Sequence, residues 1–389
     1  MLRRLTLGFG LVISAVTAFA ACSSTSNSAV SIGPSFPPQS VYASNSTQNA
    51  VSIFPVGTKS GSGPAYQIGS QSFAGPQYLA FDSFSDLFVT NYNVAAGTGS
   101  IVEIKALATG NVTALNSVSV GTVRPRGIAF YMQPIAVASA SPVPAFVVAS
   151  VNSAAVAGFT NELVFYNTLI GAFQTIAGPN TQMNVPSGVA FDASQNLYVT
   201  NLQGSSVEVF ALPTASPTPS TSPSPTPTTT PTPSPLPSGA TPTPSPTPVP
   251  TPTPINIAPL RTISGAASGL GQPSGIAIDG SGNIYVSDSA AAAGVLPAGS
   301  CAKATCPAVL IFPAGANGAV APKAIAGPLS LLNAPSDVKL DKAGNIYVAD
   351  TTASGTGVVY VFAPGTSGNV APATIYKSPG AAIGIGITP

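Results

Sequence analysis

Aspartate recurs at four similarly placed positions, Asp82, Asp192, Asp279 and Asp341, and such a set raises acid–base or metal chemistry as a first possibility. Each of them, however, follows an apolar run and opens a short turn, as in Asp279-Gly-Ser-Gly-Asn283 and Asp341-Lys-Ala-Gly-Asn345. There an Asp side chain caps its own turn while Gly takes a positive φ. A second series, Asn45, Asn91, Asn201, Asp288 and Asp350, closes the next apolar run and is expected to bond loop backbone. Glu103 and Glu208 share one register in two copies of the pattern and are expected to face solvent. Nucleophilic catalysis finds no couple, because the chain has no His and the Ser-His-Asp and Cys-His arrangements both need one. Ser300-x-x-Lys303 and Ser336-x-x-Lys339 match Ser-x-x-Lys in spacing, but the Ser-Asp-Asn and Lys-Thr-Gly partners of that chemistry are missing. No Gly-rich phosphate loop with its Lys is present either. The residues therefore designate no catalytic group, no metal set and no cofactor.

The cysteines sort by position. Arg3 and Arg4 precede an uncharged apolar stretch, Leu5 to Phe19, and Ala20-Ala21-Cys22 follows as a small-residue cleavage site. At about 15 residues the stretch is short of the ~20 that a membrane span needs. The arrangement resembles a bacterial lipoprotein signal, apart from Phe19 where that signal usually has Leu. The resemblance implies a signal peptide over residues 1–21, a lipidated Cys22, and an extracytoplasmic chain held on the cell envelope, at the outer membrane or cell surface. Residues 22–39, rich in Ser, Asn, Gly and Pro, read as a flexible tether. The two remaining cysteines, Cys301 and Cys306, are an even remainder in an exported chain and are expected to form a disulfide. Two thiols without His are too few for a zinc site.

Charge narrows the partners. The 389 residues carry 12 basic and 11 acidic side chains, so nothing resembles the basic patch that neutralises phosphates, and nucleic acid is not an expected partner. With 38 Gly and 41 Pro among 44% hydrophobic residues, the chain reads as many short strands cut by turns.

Internal similarity organises those strands. Pro76-Gln-Tyr-Leu-Ala-Phe-Asp82 is followed by Leu87-Phe-Val-Thr-Asn91, and Pro186-Ser-Gly-Val-Ala-Phe-Asp192 by Leu197-Tyr-Val-Thr-Asn201. Pro273-Ser-Gly-Ile-Ala-Ile-Asp279 leads to Ile284-Tyr-Val-Ser-Asp288, and Pro335-Ser-Asp-Val-Lys-Leu-Asp341 to Ile346-Tyr-Val-Ala-Asp350. A third apolar run ends near Phe in each, as in Val207 to Phe210, and a fourth reads Pro-x-x-x-Ile, as in Pro259 to Ile263. A degenerate copy starts at Pro125-Arg-Gly-Ile-Ala-Phe130. Four strands per unit is the plan of a propeller blade, and a blade must stack on neighbours to bury its faces. The lines resemble NHL repeats, over about residues 40–388. The expectation is an all-β propeller of four-stranded antiparallel blades across residues 40–389. Val41 to Phe54 supplies strands without a first one, and Gly384 to Thr388 a first strand without a sequel; joined, they make a closing blade shared by both ends and six blades in all. The Pro/Thr/Ser-rich stretch 213–254 has no core-forming residues and is expected as a disordered insert within one blade.

In the family that the repeats resemble, the residue between Pro and Gly lies near the mouth of the central channel, and calcium-dependent lactonase-like propellers carry Asn or Asp there. Here the positions are Gln77, Arg126, Ser187, Ser274 and Ser336, with Ile383 in the closing blade. That ring offers no carboxylate for a hard cation; Arg126 is its one charge and could hold an anionic group. A monomeric binding or scaffolding module for a protein or glycan is thus expected rather than an enzyme. The alternative is a lactonase-like or other propeller hydrolase with carboxylates borne on irregular loops.

Overall fold

The structure, a computed structural model, describes residues 39–131, 145–152, 161–167, 171–212 and 254–388. The signal peptide, Cys22 and the tether up to residue 38, like the insert over 213–253, lie outside the described residues.

Six sheets form a six-bladed β-propeller. Blade 1 joins Ala382–Ile387 to Ser40–Asn45, Ala50–Pro55 and Tyr66–Gly69, with a two-residue parallel pairing to Gly110–Asn111 at its outer edge. Blade 2 runs Pro76–Phe81, Leu87–Asn93, Thr98–Ile104 and Asn116–Gly121; blade 3 runs Val123–Tyr131, Ala145–Asn152, Asn161–Asn167 and Gly171–Ala177. Blade 4 is Pro186–Phe191, Asn196–Asn201, Ser206–Ala211 and Arg261–Ile263, so the chain on either side of residues 213–253 belongs to adjacent strands of one sheet. Blade 5 is Pro273–Ile278, Ile284–Ala292, Thr305–Phe312 and Lys323–Ala326, and blade 6 is Asp337–Leu340, Ile346–Thr351, Gly357–Phe362 and Thr374–Ser378. Closure by the two ends of the domain is as the repeat pattern predicts: Val41 pairs with Ile387 and Tyr42 with Gly386. Apart from four 3-10 turns, the described residues hold no helix.

The alternation within each strand fills the gaps between blades. Six apolar clusters occupy the six blade-to-blade interfaces, for example Val147, Leu163 and Ile176 of blade 3 against Val189, Leu197 and Phe210 of blade 4. Large side chains such as Phe54, Phe210, Phe312 and Phe362 are wholly buried in them. Burying a side chain of this size contributes roughly 1.5–3 kcal/mol, which a single blade cannot obtain alone.

Two devices recur along the innermost strands. The Asp turns act as caps: Asp279 Oδ1 accepts from the Ser281 and Asn283 amides at 2.9 and 2.8 Å, and its Oδ2 accepts from Asn283 Nδ2 at 2.8 Å. Asp192 and Asp341 repeat this, and all three accept a Tyr hydroxyl, from Tyr285, Tyr198 and Tyr347 respectively for Asp279, Asp192 and Asp341. The other device is a bulge. In blades 2, 4 and 5 the register slips across the Pro-x-Gly position, between Pro76 and Leu79, Pro186 and Val189, and Pro273 and Ile276. The amide freed there donates to a hydroxyl on the second strand: Tyr78 to Thr90 at 3.0 Å, Gly188 to Thr200 at 2.7 Å, Gly275 to Ser287 at 2.8 Å and, in blade 1, Gly384 to Ser44 at 2.9 Å. Thr200 then donates at 2.6 Å to the Ser274 carbonyl of the next blade, and Ser44 to the Gln77 carbonyl. Four blades carry glycine in this layer, where neighbouring strands nearly touch. A Cβ on Gly188 would lie 2.4 Å from the Ser274 oxygen, and one on Gly384 2.5 Å from the Gln77 oxygen.

Candidate functional site

The first strands of the six blades line the axis, and their successive residues make stacked rings. The outer ring holds Gln77, Arg126, Ser187, Ser274, Ser336 and Ile383. The structure joins two of these directly and ties a third to a neighbouring arginine. Arg126 Nη1 donates to Ser187 Oγ at 3.3 Å, and Gln77 Oε1 accepts from Arg124 Nη2 at 3.2 Å. Ser274 and Ser336 are instead engaged in joining blades: Ser274 Oγ donates to the Pro335 carbonyl at 3.2 Å and Ser336 Oγ to the Ala382 carbonyl at 3.0 Å.

One ring deeper, the Gly of the repeat is replaced twice. Tyr78 stands in that place in blade 2 and crosses the channel. Its hydroxyl lies 3.1 Å from Ser187 Oγ and donates at 3.4 Å to the Ser336 carbonyl, which bridges blades 2, 4 and 6. Complete burial raises its pKa. Asp337 is the replacement in blade 6. It is wholly buried and accepts from the Ile385 amide at 3.0 Å, the Val338 amide at 2.9 Å and Lys339 Nζ at 3.0 Å. Burial raises this carboxyl too, against the lowering effect of Lys339. Tyr78 thus divides the axis. Beyond it, at the end where the Asp turns lie, a chamber of about 330 Å³ is lined by apolar residues such as Leu79, Phe81, Phe191, Ile278 and Ile387, with Lys339 among them.

Among the described residues the buried acids are each engaged separately. Glu208, expected at the surface, is 1% exposed and accepts from Asn201 Nδ2 at 3.1 Å, Ser206 Oγ at 2.8 Å and Thr262 Oγ1 at 2.5 Å. Its neighbours on adjacent strands of blade 4 satisfy the carboxylate, which is why it tolerates burial. Asp288 and Asp350 hold loop backbone as expected, Asp350 accepting from the Asn333 and Ala334 amides at 2.9 Å. Ser336 and Lys339 do not meet: the Lys339 ammonium is bonded to Asp337. Among the described residues no three His, Cys, Asp or Glu side chains converge as metal ligands would. Cys301 and Cys306 are joined in a disulfide, Cα atoms 5.9 Å apart, at the start of the third strand of blade 5.

A roomier concavity lies off the axis. A cleft of about 830 Å³ lies at the outer edge of blade 1, lined by residues 48–50, by Gln67 and 69–72, and by 110–113. Gln48, Asn49, Gln67, Gln71, Asn111 and Thr113 line it, and no titratable side chain does. The repeat lines did not point to this cleft, because it is built from connections outside them. Tyr78 had a readable signal, a bulky residue where most copies have Gly; Arg124, one residue before its Pro, had none.

Fold and site together define a six-bladed propeller whose axis is closed by a tyrosine. The sequence matches no protein-family model, and no curated protein matches it. Among solved structures, the chain is similar to a protein of unknown function from Bacteroides caccae, with a TM-score of 0.53 at 8% identity over 90% of this chain and 99% of that one. A luciferin-regenerating enzyme follows at a TM-score of 0.48 and 10% identity, covering 88% and 94% of the two chains. A protein from Lactobacillus plantarum gives 0.45 and 12% over 90% and 98%. At these identities the likeness is one of fold.

Proposed function

We propose that the protein is a non-enzymatic binding module on the cell envelope, and that its rim cleft takes a neutral glycan. The observation that carries this is the chemistry of the cleft, about 830 Å³ lined by amide and hydroxyl side chains without a titratable group. Carboxamides donate and accept side by side, which suits the paired hydroxyls of a sugar, while nothing there could act as a general acid or base. The lactonase-like alternative would need carboxylates around the mouth. The outer ring has none, and the nearest, Asp337, is buried against Lys339. The NHL-like repeat lines and the lipoprotein-like signal ending at Cys22 support an anchored propeller.

The test is binding to a panel of neutral oligosaccharides, compared with Gln67→Ala and Asn111→Ala. Each substitution should weaken a positive interaction roughly tenfold, the worth of one or two hydrogen bonds. Turnover of a lactone or ester that a chelator abolishes would overturn the reading, as would glycan binding indifferent to both substitutions. For the anchor, Cys22→Ser should move the chain from the membrane to the soluble fraction; a wild-type chain already soluble, with a different mature N-terminus, would refute it.

A further inference from the structure

Two arginines stand side by side at the channel mouth without an acid to balance them. Among the described residues the one ion pair is Lys339 with Asp337, so neither Arg124 nor Arg126 has a carboxylate partner. In a chain with 12 basic residues in all, adjacent cations on one strand are conspicuous. Both are half-buried, and the Nε of each is shut off from solvent with no hydrogen-bond acceptor. Buried donors are nearly always satisfied, and a guanidinium left short of acceptors is costly. Burial, and then the charge of Arg126, lower the pKa of Arg124, so the pair is held together against desolvation and mutual repulsion.

The surroundings fix both heads in place. Arg124 lies over the Tyr92 ring, 5.4 Å from its centroid, and bonds Gln77. Arg126 bonds Ser187 Oγ, which is itself within 3.1 Å of the Tyr78 hydroxyl. These contacts take a single Nη from each side chain and leave the rest of each fork without a protein acceptor. A guanidinium fork matches the two oxygens of a carboxylate or phosphate, and an anion between two such forks relieves their repulsion as well as supplying acceptors.

We propose that Arg124 and Arg126 form an oxyanion site at the channel mouth, which takes one carboxylate or phosphate group, with Gln77 and Ser187 holding the two guanidinium heads in position. The site is separate from the rim cleft and does not depend on a glycan being bound there.

The experiment titrates the mature protein with inorganic phosphate and with glucuronate, using glucose as the uncharged control, by calorimetry and thermal shift. At least one anion should bind saturably and raise the melting temperature, and glucose should not do so by way of these residues. Arg124→Gln and Arg126→Gln should each weaken the anion roughly tenfold or more, the equivalent of one charge-assisted bond. Arg126→Lys, which keeps the charge and loses the fork, tests the geometry without removing the cation and should also weaken binding. Lys105→Gln, on the exposed surface, should leave binding unchanged. Phosphate alone, glucuronate alone or both would identify the preferred oxyanion and uphold the site. No saturable binding of either anion, or binding unchanged in the arginine variants, would overturn it.

Discussion

Buried carboxyls set how this protein responds to acid. Asp82, Glu103, Glu162, Glu208, Asp288, Asp337 and Asp350 are all shifted upward, with burial as the first cause in each. Asp350 is held at about 6 against an ordinary 3.8, since burial outweighs the amides of Ala334 and Asn333 that favour its charged form. Between those two values the folded chain keeps a proton that the unfolded chain has released, so stability falls as pH rises through that window and levels above it. Melting temperature should therefore decline from 3.8 to about 6, and Asp350→Asn should flatten the decline. Asparagine already serves at this place in blades 2 and 4, where Asn91 and Asn201 accept from the Ala74 and Asn184 amides at 3.3 and 3.2 Å. A decline equally steep in the variant would mean that other carboxyls carry it.

At the scale of the strand, the Pro-x-Gly bulge does the positioning, and its glycine is a matter of space. In Gly188→Ala the new methyl would meet the Ser274 oxygen at 2.4 Å and the Gly275 Cα at 3.0 Å, both backbone atoms that cannot rotate away. We expect a loss of roughly 2–3 kcal/mol in denaturant unfolding, as for overpacking in a filled core. Gly280→Ala, with nothing within 4 Å, should stay within about 0.5 kcal/mol of the parent. Equal effects would mean that the innermost strands do not approach as closely as described.

The same strands explain what was legible in the sequence. Blades 4, 5 and 6 announce themselves because turn caps, Gly and Tyr recur at fixed offsets, each demanded by local backbone geometry. The second strand of blade 3, Ala145–Asn152, and the fourth of blade 2, Asn116–Gly121, lack those flags and emerge only from their pairing. The site was less readable for a related reason. Its contacts join residues far apart in the chain, as Tyr78 does with Ser187, and a pattern of local offsets cannot express that. The burial of Glu208 is hidden for the same reason, because its partner Thr262 arrives from beyond residues 213–253.

For the whole molecule, the ring matters more than the length of its connections. Residues 213–253 leave from Ala211 and return to Arg261, in strands already paired side by side. Loop-closure entropy grows only with the logarithm of length, so replacing this stretch by a short Gly-rich turn should leave thermal unfolding cooperative and the melting temperature little changed. Removing residues 382–388 should lower it far more, since blade 1 would lose its innermost strand and blades 2 and 6 their neighbour. The reverse ranking would place the insert between two independent domains.

The closing strand also puts an order into the making of the protein. Ser40–Asn45 is among the first of these segments to leave the ribosome, and its partner Ala382–Ile387 is the last. Until the partner arrives, the inner edge of Ser40–Asn45 stands open beside blades that can already fold, and the Ser40 amide lacks its 2.8 Å bond to Thr388 Oγ1. A chain cut short by a stalled ribosome or a nonsense codon would keep that edge exposed, and with it the unpaired backbone that proteases and chaperones recognise. The ring thus inspects its own completeness, because only a chain translated through its last strand can shut it.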